Sequence, residues 1–269
     1  MIAGLAISNI AWPAADDAEA LDLAAAAGFT GVELAPAKSF GAWAEIDLAH
    51  VRAMAGTLAA RGLPVVAMQG ILFGVPEAKL FGTPEQRATL AAHLRLVARI
   101  AGACGGVPCV FGAPGARDPG ALSLPEASER AAAFFAEIAP AFAAEGASLA
   151  FEANPAAYGC RFVTHTAEAI ALVQRIGVAG MGLQIDAGTV LLNGEPASIL
   201  IEAAPLAVHC HASAPHLEPV AAHTWAHMPL AAALRGTGYR GWVSVEMRAA
   251  PDWRAALREA GERMRPAWL

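Results

Sequence analysis

Ser148-Leu149-Ala150-Phe151-Glu152 is a short apolar run that ends on a carboxylate, and the chain repeats its plan three more times. Gly182-Leu183-Gln184-Ile185-Asp186, Ala207-Val208-His209-Cys210-His211 and Trp242-Val243-Ser244-Val245-Glu246 follow, and the terminal groups are spaced 34, 25 and 35 residues apart. Each step is the length of a strand, loop, helix and loop, the repeat of a βαβ unit. If the runs are parallel neighbours in one sheet, their ends meet along one edge. Three carboxylates and an imidazole then converge there.

Alternate residues of a strand face the same side. Two residues before each terminal group stand Ala150, Gln184, His209 and Ser244, all small or polar. Between them stand Phe151, Ile185, Cys210 and Val245, which are fit to pack under helices. The two sets separate in the same way in all four runs.

Outward from these runs, strand-like and helix-like segments alternate along the whole chain. Strands are expected at 3–9, 31–35, 64–69, 107–111, 147–152, 181–186, 206–211 and 241–246. Helices are expected at 16–27, 45–61, 84–103, 125–145, 165–176, 196–204, 227–235 and 252–264. Thr83-Pro84-Glu85-Gln86 sets a cap, a first-turn proline and early acid in order, and Gly62 and Gly146 sit just past helix ends. Eight alternations predict an α/β fold, a (β/α)₈ barrel forming one domain over residues 1–269. A doubly wound sheet would carry a Gly-rich turn after an early strand; here the first strand runs into Asn9-Ile10-Ala11-Trp12-Pro13.

Hydrophobic residues make up 56% of the 269 and charged residues 16%, which supplies a large core and a sparsely charged surface that a second subunit can cover, as a dimer or tetramer. A net charge of −6 argues against nucleic acid as a partner. No run suits a membrane span. The four cysteines form no CxxC pair and read as reduced, buried thiols of a cytoplasmic protein.

Active sites of such barrels lie at the C-terminal strand ends. Glu152, Asp186, His211 and Glu246 are therefore expected to hold one divalent cation. An oxygen-rich set with one imidazole suits Mn²⁺ or Mg²⁺, with Co²⁺, Fe²⁺ or Zn²⁺ as alternatives, and leaves positions open for a small-molecule substrate. Glu33 and Gln69, at the ends of strands two and three, are expected to line the pocket. Arg117 and Arg248 are candidates to hold an anionic group. Trp12 and Tyr158 are candidates for a stacking wall. Asn154, Gln184 and His209 complete the candidate substrate contacts.

The motifs Gly31-Val32-Glu33-Leu34, Phe151-Glu152-Ala153-Asn154-Pro155, Leu183-Gln184-Ile185-Asp186, Val208-His209-Cys210-His211 and Gly238-Tyr239-Arg240-Gly241-Trp242-Val243-Ser244-Val245-Glu246 resemble the xylose isomerase-like TIM barrel superfamily, in its sugar phosphate isomerase/epimerase group. The resemblance implies a metal held by Glu152, Asp186, His211 and Glu246, with Glu152 and Glu246 also acting as the acid/base pair. It implies isomerisation or epimerisation of a sugar-like hydroxy-carbonyl compound through an enediolate. Loss of a β-hydroxyl at the same site would instead make a lyase or dehydratase, acting on a polyol or a dehydroshikimate-like acid.

Three positions depart from the ketose 3-epimerases of that group: Thr189, Tyr158 and Leu217 stand where those enzymes carry His, Glu and Arg. The grip on a ketohexose is therefore expected to differ. A non-catalytic accessory barrel with a decayed site is the third reading.

Overall fold

Every strand segment carries Val, Ile, Leu or Phe, which suits a sheet packed under helices. The computed structural model describes residues 1–269 and forms the strands β1 (Leu5–Ser8), β2 (Gly31–Leu34), β3 (Val65–Met68), β4 (Pro108–Phe111), β5 (Ser148–Glu152), β6 (Met181–Asp186), β7 (Ala207–Ser213) and β8 (Val243–Glu246). They close into one barrel in sequence order. All neighbours are parallel, and β8 returns to β1 through Leu5↔Val243, Ala6↔Ser244 and Ile7↔Val245. The predicted eight-stranded barrel is the observed one.

The helices are α1 (Asp17–Ala26), α2 (Pro36–Phe40), α3 (Leu48–Ala60), α4 (Pro84–Ala103), α5 (Leu124–Ala144), α6 (Thr166–Ile176), α7 (Ala187–Asn193), α8 (Ile199–Ala203), α9 (Thr224–Gly236) and α10 (Trp253–Trp268). Thr83 caps α4 as expected and forms a capping box with Gln86, and Ser123 with Glu126 form another on α5. Gly62 and Gly146 follow their helices with φ of 76° and 68°, a conformation that side chains with a Cβ rarely adopt.

Two differences from the sequence reading bear on the site. β7 overruns the predicted 206–211 and continues to Ser213, so His211 lies inside its strand rather than at the end. The helix expected at 196–204 shrinks to α8, and the unexpected α7 starts directly after β6. α7 forms because Asp186 is its N-cap, accepting from the Thr189 backbone N–H at 2.5 Å. A residue read only as a strand end also opens a helix.

The predicted division of strand faces is visible in the packing. Phe111 and Phe151, from adjacent strands, both meet Phe135 of α5, with ring centroids 5.1 and 5.5 Å apart. Burying each such ring contributes about 1.5–3 kcal/mol. The opposite face points into the barrel, where polar residues are buried and mutually bonded. Gln69, for example, donates to the Ser8 hydroxyl across 2.7 Å. All four cysteines are free and buried, and no helix is long and apolar enough to cross a membrane.

Candidate metal centre and cleft

Asp186 and His211 are direct partners in the β6–β7 ladder, whereas Glu152 pairs with Gln184 and Glu246 with Ser213. The barrel's stagger therefore sets the four candidate ligands at different levels, and side-chain length brings them together. His211 Nδ1 lies 3.1 Å from Glu246 Oε2, 3.5 Å from Glu152 Oε1 and 3.8 Å from Asp186 Oδ2. Ligand atoms of Glu152, Asp186 and His211 all fall within 4.8 Å of one another. None of the carboxylates is aligned to hydrogen-bond His211 Nδ1, which is buried without a partner.

The acids are held from behind. Asp186 Oδ1 caps α7, and its Oδ2 accepts from the Ser213 hydroxyl at 2.6 Å. Glu152 Oε2 accepts from the Asn154 amide at 2.8 Å. Gly112, just past β4, makes room for this carboxylate, because a Cβ there would sit 2.5 Å from Glu152 Oε2.

The ring's other nitrogen faces a fourth acid. His211 Nε2 is 2.9 Å from Glu33 Oε1, and His209 Nε2 is 3.2 Å from Glu33 Oε2. His209 Nε2 also lies 2.9 Å from the Ser244 hydroxyl.

Electrostatics divides these groups. Burial, then the charges of Glu152 and Glu246, push the Asp186 carboxyl up to about 7. Burial chiefly raises Glu246 too, although His211 pulls it the other way. For His211, burial is the largest single influence and disfavours the imidazolium. Glu33, Glu246 and Glu152 together outweigh it and hold the ring well above the usual histidine range. Burial would raise Glu33, but His211 and His209 outweigh it and hold the carboxyl below the usual range. Negative charge thus accumulates on the outer side of His211 beyond what one imidazole neutralises. That arrangement favours a cation. An imidazole nitrogen and three carboxylates fit a divalent ion.

The cluster opens into a cleft of about 400 Å³, lined by Gln69, Glu152, Asn154 and Glu246, with an apolar wall that includes Ile71, Leu72 and Val75. Lys79 is the cation in its lining and donates to the Gly115 carbonyl at 2.8 Å.

A sequence profile of the xylose isomerase-like TIM barrel family matches residues 21–267. The chain belongs to this family. Among solved structures, this family member resembles an L-ribulose 3-epimerase with a TM-score of 0.82 and 17% identity, covering 99% of this chain and 95% of that one. A 3-keto-D-glucoside 4-epimerase from E. coli superposes with a TM-score of 0.78 and 17% identity over 99% and 100% of the two chains. D-psicose 3-epimerase from Clostridium cellulolyticum H10, solved with D-tagatose, gives 0.77 and 14% over 98% and 99%. At these identities the likeness is one of fold. No curated protein matches the sequence.

Within this family member, the residues expected to contact substrate separate into two groups. Gln69 and Asn154 line the cleft. Tyr158 stands at the rim, 36% exposed, with its hydroxyl accepting from the His216 backbone N–H at 2.7 Å. Five of the others are buried. Arg117 is fully buried; it donates to the Glu152 carbonyl at 2.7 Å and to Asn154 Oδ1 at 2.8 Å, and so braces the end of β5 rather than holding an anion. Trp12 is buried beside Lys38 and donates from its indole to Asp17, so it forms no stacking wall. Glu33, His209 and Gln184 are sealed inside the barrel. Arg248 is exposed, and its contribution is a backbone N–H donated to the Leu217 carbonyl.

Thr189 also lies inside, its hydroxyl bonded to the Ala153 carbonyl at 3.1 Å. His227 is buried in α9. The sequence reading missed Gly112 and Lys79. A glycine directly after the strand preceding Glu152 was the available signal for the first; Lys79 had none.

Proposed function

We propose that this protein is a divalent-metal-dependent isomerase or epimerase of a small, sugar-like hydroxy-carbonyl compound, with Glu152 and Glu246 exchanging the proton. The observation that carries the reading is the unpartnered His211 Nδ1 set among three carboxylates at the floor of a cleft. The epimerase activities of similarly folded proteins support it. Glu152, Asp186, His211 and Glu246 would hold a divalent ion, which would supply Lewis-acid polarisation of the carbonyl and so acidify the hydrogen α to it.

The chain's own groups do the rest. One of the two glutamates removes that proton, and the C–H electron pair moves toward the carbonyl. The other glutamate, protonated, returns a proton to the same carbon from the opposite side, or to the adjacent carbon. Asn154 keeps Glu152 oriented, and Asp186 is fixed by α7 and Ser213.

The test is solvent-deuterium incorporation with Mn²⁺-loaded protein across ketopentoses, ketohexoses and polyhydroxy keto acids. Wild type should label at least one of them at the α carbon. Glu152→Gln and Glu246→Gln should each lower labelling by ~10²-fold or more. Labelling by both variants at the wild-type level would remove this mechanism. A new conjugated-carbonyl absorbance without recovery of an isomer would show dehydration instead.

A further inference from the structure

Glu33 takes no part in the proton exchange and has no exposed surface, yet it sits on the inner side of the centre. We infer that Glu33 is a positioning residue that fixes the tautomer and ring orientation of His211, so that Nδ1 is presented bare to the divalent ion. The inference rests on the metal reading of the site.

The geometry carries it. Both Glu33 oxygens lie within hydrogen-bond reach of His211 Nε2, at 2.9 and 3.1 Å. An imidazole nitrogen that faces a carboxylate at this distance holds the ring proton, because a carboxylate only accepts. Binding of a cation releases one proton and leaves a neutral ring with the proton on Nε2, so Nδ1 supplies the lone pair, and Nδ1 is the nitrogen found among Glu152, Asp186 and Glu246. Both His211 and Glu33 side chains are at most 1% exposed, so no water competes for the bond. Partners behind a metal-binding imidazole commonly fix its orientation and strengthen it as a ligand.

Glu33 also reaches His209, two residues earlier on the same face of β7, at 3.2 Å. His209 in turn contacts Ser244 on β8. One carboxylate from β2 therefore pins two imidazoles across the barrel interior, at sequence separations of 176 and 178. The Glu33, His209 and His211 atoms lie as close together as ligands of an ion. The spacing is also that of hydrogen bonds, and the trio is sealed from solvent, so it is assigned to bracing.

The test titrates Mn²⁺ into metal-free wild type and Glu33→Gln by calorimetry, with circular dichroism to verify folding. One site per chain is expected in both proteins, with affinity in the variant lower by ~10- to 100-fold. In Zn²⁺-loaded wild type, long-range ¹H–¹⁵N spectra should show His211 protonated at Nε2. This measurement decides the matter if Glu33→Gln does not fold. Equal affinity in a folded Glu33→Gln, a proton on Nδ1, or two ions per chain would each overturn the inference while leaving the metal reading intact. A wild type that binds neither ion would overturn both.

Discussion

On the inner side of the His211 ring, Glu33 is sealed between two imidazoles; on the outer side, Asp186 is crowded by two further acids. Glu33 is sealed and Asp186 is 10% exposed, and desolvation acts on both in the same direction. The net outcomes are opposite: Glu33 is held below the usual carboxylate range, and Asp186 is pushed up to about 7. The difference lies in the neighbours. Glu33 has its counter-charges within the protein, whereas Asp186 shares one imidazole with Glu152 and Glu246. The inner side pairs one buried acid with two imidazoles, whereas the outer side gathers three acids around one.

Breaking the inner side should have the largest effect. Glu33→Ala leaves two buried imidazoles without their acceptor and should cost about 3–5 kcal/mol of stability, read from urea unfolding of the metal-free protein. A loss under about 1 kcal/mol would mean that the two sides do not differ as described.

His227 sharpens the comparison because it is a buried imidazole with no acid at all. Both of its nitrogens lack partners, and burial, with a smaller push from His223, lowers it to about 4. The unfolded chain takes up a proton near the ordinary 6.5, before the folded one does, so stability should fall as pH drops from 6.5 toward 4. The loss should reach about 2 kcal/mol and be absent in His227→Phe, as seen by comparing unfolding midpoints of the two proteins at pH 7 and pH 4.5.

The outer side gives the smallest and most selective effect. The Asp186 carboxyl is raised from 3.8 to about 7, so the folded state holds its proton more tightly. Its contribution to stability is full below pH 3.8 and is lost as pH rises to about 7. Asp186→Asn should flatten that slope in metal-free protein and make it more stable than wild type at pH 8, by about 1–2 kcal/mol. The variant should also lose the thermal stabilisation that Mn²⁺ gives wild type. A metal-free wild type whose stability falls no more steeply than the variant's across this window would contradict the crowding.

Much of this was legible before any coordinates. Alternating segments disclose the barrel, because each strand–helix unit carries its own periodicity and caps. Phe151 and Glu152 declare opposite faces of one strand by parity alone. Arg117 and Trp12 misled because a charged or aromatic loop residue looks the same in sequence whether it lines a cleft or braces a strand. α7 was hidden because Asp186 serves as strand end and helix cap at once.

By itself the sequence determined the closed parallel sheet and the four residues offered at or near its rim, since both follow from short-range pattern and from the length of a βα unit. Tertiary structure alone decided that Asp186 stands level with His211 while Glu152 and Glu246 reach in from other levels, and that Glu33 lies behind the ring rather than in the cleft. Closing the barrel staggers its strands and brings residues 178 positions apart within a hydrogen bond. Such a contact depends on the whole circuit of the sheet, and no local pattern encodes it.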